Sequence, residues 1–256
     1  MSSNKSEKDT KAGAPQETDC ARETGGALVI GLTGGIGTGK STAAKYLLEA
    51  ELPAGFGAGD LTSAVTAPAL VHVDADAISR QLTVKEPGVI NPVLEEIRDA
   101  FEGADTHVLR EDGSLDRAAM ASQVFADPEK KKLLEDILFR HIIKEIHRLI
   151  DEAGKAGRPV LLDVPLLFES GLDSLCDYVI ALSVDEGVRI GRVVARDRCS
   201  EEEVRARIRN QMSDEERRAR ADFVVENSGS REEMFRQLDE VLAEIGASTA
   251  GKGKTQ

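Results

Sequence analysis

At 256 residues, with 41% apolar and 31% charged side chains, the chain has the balance of a soluble globular protein with one sizeable core or two small ones. A net charge of −13 argues against non-specific binding to nucleic acid or to an anionic membrane surface, both of which need a basic face, and no apolar run is long enough to span a bilayer. Three scattered cysteines suit the reducing cytosol, and neither they nor the four histidines have metal-type spacing.

In chain order, residues 1–25 are polar and mixed in charge, without the apolar centre of a secretory signal, and read as a disordered extension. Five short, apolar, branched runs then read as strands: Leu28–Leu32, Leu70–Asp74, Pro159–Val164, Tyr178–Ser183 and Phe223–Glu226. Runs apolar on both faces, with helical patterns between them, predict a parallel sheet covered on both sides. A first helix is predicted from Lys40 to Glu51, followed by a Gly/Ala/Pro-rich loop insertion from Pro53 to Pro68. Residues 77–157 are mostly helical and too many for a simple crossover, so they read as a helical subdomain. Within it Asp116 opens one helix and Asp127-Pro128 another, whose stripe of Leu134, Leu138, Ile142, Ile146 and Leu149 ends at Gly154. Residues 189–220 hold ten arginines and seven acids, and read as a lid whose arginines are mostly a solvated, ion-paired surface. Ser200, Ser213 and Ser230 each precede a Glu by three residues, the signature of a capping box. Residues 26–76, 158–188 and 221–246 form the core, and 247–256 read as a disordered tail.

Between the first strand and first helix lies Gly34-Gly35-Ile36-Gly37-Thr38-Gly39-Lys40-Ser41-Thr42, which fits the Walker A phosphate loop G-x-x-x-x-G-K-[ST]. Its glycines let backbone amides converge on phosphate oxygens, and the helix that follows adds the positive end of its dipole. Lys40 supplies a point charge to the β and γ phosphates, and the Ser41 hydroxyl an oxygen for Mg²⁺. The guanine-reading N-K-x-D is absent, and Asp151-Glu-Ala-Gly154, which fits D-x-x-G, lies at a helix end. The second strand ends in Asp74-Ala75-Asp76, at the carboxyl edge where open parallel sheets gather ligands. Asp76 suits a base that takes the proton of an attacking hydroxyl; its competing role is to cap the next helix. Asp74 is placed to support Lys40 or Mg²⁺ from behind.

The motifs IGLTGGIGTGKST (30–42), VDADAISRQL (73–82), DGSLDRAAMASQVFADPEKKKLLEDIL (112–138), DVPLLFESGL (163–172), RVVARDRCSEEEVRARIRNQM (192–212) and ADFVVENSG (221–229) together resemble the dephospho-coenzyme A kinase family. The resemblance implies a P-loop nucleoside triphosphate hydrolase-type α/β fold in three layers, with a five-stranded parallel sheet, a helical acceptor subdomain and a lid. It implies transfer of phosphate from ATP, with Mg²⁺, to the ribose 3′ hydroxyl of dephospho-CoA. By the same resemblance Asp76 is the base, Arg192 and Arg196 are the lid arginines, Asn227 lies near the adenine, and Pro165–Glu169 borders the acceptor groove. Two departures stand out: Phe139-Arg140 occupies the family's usual His-Pro, with His141 beside it, and the segment 53–70 is long. The alternatives are another small-molecule or nucleoside monophosphate kinase, and a nucleotide-dependent switch or assembly factor. No heptad or interface stripe sets an oligomeric state.

Overall fold

The computed structural model describes residues 26–56, 69–86, 88–103 and 107–252; the predicted extension 1–25 and most of the 53–68 insertion lie outside them. Five strands, β1 (Val29–Gly34), β2 (Val71–Asp74), β3 (Val160–Asp163), β4 (Tyr178–Ser183) and β5 (Phe223–Glu226), form one sheet in the order β2-β3-β1-β4-β5. Every pairing is parallel, with Val29 opposite Val160 and Ile30 opposite Tyr178. β4 and β5 have the predicted bounds, and the other strands shift by one or two residues.

The two-residue side-chain period sorts the central strands into two cores. Ile30, Leu32, Leu161, Ile180 and Leu182 face one side, where α1 (Lys40–Glu49) and α9 (Arg231–Lys252) cover them with Ala43, Leu47, Met234, Leu238 and Ile245. Val29, Val160, Leu162 and Val179 face the other, under α2 (Ala75–Leu82) and α5 (Pro128–Lys155), which add Ile78, Ile146 and Ile150. Each fully buried aliphatic of this kind contributes about 1.5–3 kcal/mol.

α3 (Pro92–Phe101) and α4 (Arg117–Ala126) pack on the first half of α5 around Val93, Ile97, Phe101, Met120 and Ile137. The side chains of Asn91, Asp116 and Asp127 accept from the first free amides of α3, α4 and α5, and α3 and α5 also begin with proline. α5 has 28 residues, a rod of about 42 Å, and runs past Gly154; the left-handed residue that follows it is Gly157, at φ 64°. α6 (Glu186–Asp197), α7 (Glu201–Arg209) and α8 (Asp214–Arg220) follow β4. Ile190, Val193 and Val204 make a small core there, on which Ile36 of the glycine loop packs.

The predicted tail needs correction. α9 continues without a break through Gly246 to Lys252, because the chain after α1 packs on it. The Thr249 hydroxyl donates to the Gly55 carbonyl at 2.9 Å, and a Cβ on Gly246 would come within 2.7 Å of the Ala54 carbonyl oxygen. Leu52, Phe56 and Leu70, on either side of the undescribed segment, are all buried in the core shared by α1 and α9.

Candidate active site

β1 is buried along its whole length and delivers Gly34 to the carboxyl edge of the sheet. The chain then turns through Gly37 (φ 78°) and Gly39 (φ 91°), conformations that favour glycine, and enters α1. Gly39 caps α1 without any side-chain hydrogen bond, so the first amides of the helix stay available to an anion. Neighbours press on the loop from three directions. Asn227, just after β5, donates its amide to the Thr38 carbonyl at 2.7 Å. Arg189 of α6 donates to the Ile36 carbonyl at 2.7 Å, and Gln211, between α7 and α8, accepts from the Ile36 amide at 3.0 Å and from Arg189 at 2.9 Å. A Cβ on Gly35 would strike the Arg189 guanidinium, and one on Gly39 the Asn227 amide, so these glycines also serve close approach.

Above the loop is a cleft of about 570 Å³ that brings Lys40, Ser41, Asp76, Arg192 and Arg196 together with Thr42, Ile36 and the loop glycines. Residues from β1, α1, α2 and α6 thus meet at one place, as the sequence predicts. Thr38 and Asn227 do not line it. Thr38 is 1% exposed and donates its hydroxyl to the Gly35 carbonyl at 2.8 Å. Asn227, expected near the adenine, is 6% exposed and spends its side-chain amide on the loop. Arg192 has a buried Nη1 with no hydrogen-bond partner, a donor that an anion in the cleft would satisfy. Arg196, at the end of α6, is exposed and pairs with Asp197 at 2.7 Å.

The two acids after β2 divide their work differently from the expectation. Asp74 is the cap of α2, accepting from the Ala77 amide at 3.0 Å, which leaves Asp76 in the first turn with its side chain on the cleft. The partner of Lys40 is not Asp74 but Asp163, at the end of β3 and 4% exposed, which forms an ion pair with the Lys40 ammonium. His72 of β2 approaches the other Asp163 oxygen at 3.3 Å. Ligand atoms of His72, Asp74 and Asp163 all lie within 4.8 Å of one another, and Ser41 lines the same recess of about 260 Å³. Two carboxylates and a hydroxyl are the donors a hard divalent cation takes.

Asp163, Arg189 and Gln211 escape a reading by motif. The available signal for Asp163 is its position, since β3 neighbours β1 and ends in an acid at the same edge. Arg189 is 5% exposed and Arg217 1%, so two of the ten arginines expected at the surface are interior. Burial and the nearby Arg217 charge lower the Arg189 pKa from its ordinary value. Pro165 lines the cleft, whereas Glu169 turns away to accept from the Met212 amide at 3.2 Å and to face Arg217 at 3.7 Å.

A model of the dephospho-CoA kinase family matches residues 28–233. A dephospho-CoA kinase of Corynebacterium efficiens is 41% identical over 219 residues, 85% of this chain and 97% of that one. One from Symbiobacterium thermophilum is 39% identical over 88% of this chain and 83% of its own length. Among solved structures, a Thermus thermophilus protein superposes with a TM-score of 0.60 at 33% identity, covering 85% of this chain and 97% of its own.

Proposed function

The chain belongs to the dephospho-CoA kinase family, and from that membership we propose that it moves the γ-phosphoryl group of ATP to the ribose 3′ hydroxyl of dephospho-CoA, giving coenzyme A and ADP. The observation that carries the reading is the cleft itself: an acid, a lysine, a hydroxyl and a guanidinium with one buried, unpartnered nitrogen line one space over a phosphate loop. In the reaction the 3′ oxygen attacks the γ phosphorus, a new O–P bond forms, and the bond to the β–γ bridging oxygen breaks. The Asp76 carboxylate takes the hydroxyl proton. Backbone amides of Gly34–Thr42 hold the phosphates. Lys40 exchanges Asp163 for the β and γ oxygens, and Arg192 covers the transferring group. Arg196 joins it when the exposed Asp197 pair opens. Asn227 serves the nucleotide through the loop it braces.

The recess beside Ser41 fits Mg²⁺, with the Ser41 hydroxyl and the Asp163 and Asp74 carboxylates as the oxygens that would hold it or its waters. Bound with ATP, that ion supplies neutralisation of the phosphate charge that grows during transfer. The chain's own contribution is to hold Asp163 in place from β3 and to park Lys40 beside it until the phosphates arrive. The substrates are small molecules, which suits a cytoplasmic enzyme, and no described helix is long and apolar enough to cross a membrane.

The test is an acceptor assay on purified protein with ATP, followed by mass. Dephospho-CoA gains one phosphate and outcompetes nucleoside monophosphates. Preference for a nucleotide acceptor, or slow hydrolysis with transfer to nothing, overturns the reading.

A further inference from the structure

The short connection between α7 and α8 is held more firmly than a surface loop requires. Met212 lies in it; its amide donates to the Glu169 carboxylate at 3.2 Å, and its carbonyl accepts from the Arg217 guanidinium at 3.1 Å. Arg217 is 1% exposed, and its Nε and Nη1 have no hydrogen-bond partner. Burying a guanidinium so incompletely satisfied is costly. What the fold gains is one fixed place for the residue before Met212, which is Gln211.

The neighbours of the Gln211 carboxamide identify its two ends. The Ile36 amide at 3.0 Å and the Arg189 guanidinium at 2.9 Å can only donate, so the atom they share is Oε1. Nε2 is left over as a donor, and among the described residues it has no hydrogen-bond partner. Gln211 nevertheless lines the cleft over the phosphate loop, together with Lys40, Asp76 and Arg192. The approach to the loop is close: a Cβ on Gly35 would come within 3.0 Å of Oε1. Arg192 Nη1 is the other unpartnered donor of this cleft.

Resting on the kinase reading above, we propose that Gln211 is a further catalytic residue: Oε1 anchors the side chain on the Ile36 amide, and Nε2 donates to an oxygen of the γ-phosphoryl group while that group is transferred. Charge in this transition state spreads over three equatorial oxygens, more than one cation covers. A neutral donor already fixed in place strengthens as the charge grows and needs no rearrangement at that moment. It also adds no positive charge that would hold the triphosphate before reaction as tightly as during it. The buried Arg217 and Glu169 thereby acquire a purpose, since they set where the Gln211 backbone stands.

The test separates a donor to the γ group from a mere brace of the loop. Titration calorimetry with Mg²⁺ measures ADP alone, and ADP with aluminium fluoride and dephospho-CoA, a mimic of the phosphoryl group in flight. The full chain is compared with Gln211→Ala, Gln211→Met and Arg189→Lys. In both Gln211 variants kcat falls about tenfold or more, the aluminium fluoride complex weakens by a similar factor, and ADP affinity stays within twofold. Gln211→Met keeps the length and packing of the side chain, so it decides the matter where Gln211→Ala lowers the melting temperature. Arg189→Lys loosens the brace alone and weakens both ligands alike. Should the Gln211 variants weaken both alike, or leave the aluminium fluoride complex or kcat within twofold of wild type, the proposal is overturned while wild-type transfer to dephospho-CoA leaves the reaction standing. A wild type that transfers nothing to dephospho-CoA overturns both.

Discussion

The phosphate cleft and a second cavity of about 270 Å³, between α2, α4 and α5 with Arg80 and Arg117 at its rim, lie along one face of α2 yet are built in opposite ways. The cleft is built on nine consecutive residues, 34–42, which offer it mostly backbone amides, and the buried Asn227 and Arg189 and the half-buried Gln211 brace them. The second cavity takes its cations from positions 37 residues apart, both on exposed side chains. A site made of backbone is rigid and common to many nucleotides. One made of long side chains is adjustable. This contrast explains why the glycine motif is recognisable in isolation while the second cavity is not.

The contrast yields graded expectations. On the rigid side, Lys40→Ala removes the charge shared by the phosphates and Asp163, and kcat/KM falls about 10³-fold or more. Arg192→Ala has a comparable effect on kcat, and Arg196→Ala a smaller one, since Arg196 already has Asp197 for company; equal losses would mean that the two arginines act alike. Asp76→Asn lowers kcat about 10²-fold or more with ATP affinity retained by calorimetry, and unchanged turnover would remove the carboxylate from the proton transfer.

Bracing residues come next. Asn227→Ala leaves the buried Thr38 carbonyl without a donor and lowers stability by about 1–3 kcal/mol, read in denaturant, with a weaker ATP affinity. If stability falls and ATP affinity does not, the brace is structural only. The smallest effect concerns Glu96, between the two halves of the helical subdomain. The hydrogen bond from His141, helped by Arg140, holds its carboxyl below the ordinary carboxylate pKa. The folded state therefore resists protonation more than the unfolded chain does. The stabilisation is present above the unfolded value of about 4.3 and is lost as pH falls toward the folded one. The melting-temperature difference between wild type and Glu96→Gln should close across that acid window and stay flat at neutral pH.

Local chemistry was legible and long-range pairing was not. The loop, the proline-capped start of α5 and the strands β4 and β5 follow from a few adjacent residues, so the sequence alone predicts them closely. Asp163 meets Lys40 across 123 positions of chain, a contact only the strand order creates. That Asp74 rather than Asp76 caps α2 is a one-residue choice that residue type does not decide. Arg189 and Arg217 sit in a run that looks mostly solvated; Arg189 is buried where α6 meets the glycine loop, and Arg217 on α8, which packs on β4. At the C-terminus, small residues that suggest disorder are what allow α9 to lie against the backbone of residues 54 and 55.

The burial of Phe56 and Leu70 has an engineering consequence. Phe56 and Leu70, the described residues on either side of 57–68, are both buried in the core that α1 and α9 cover. An epitope or reporter inserted among residues 57–68 is therefore expected to leave turnover at the far edge of the sheet as it was, read in the acceptor assay.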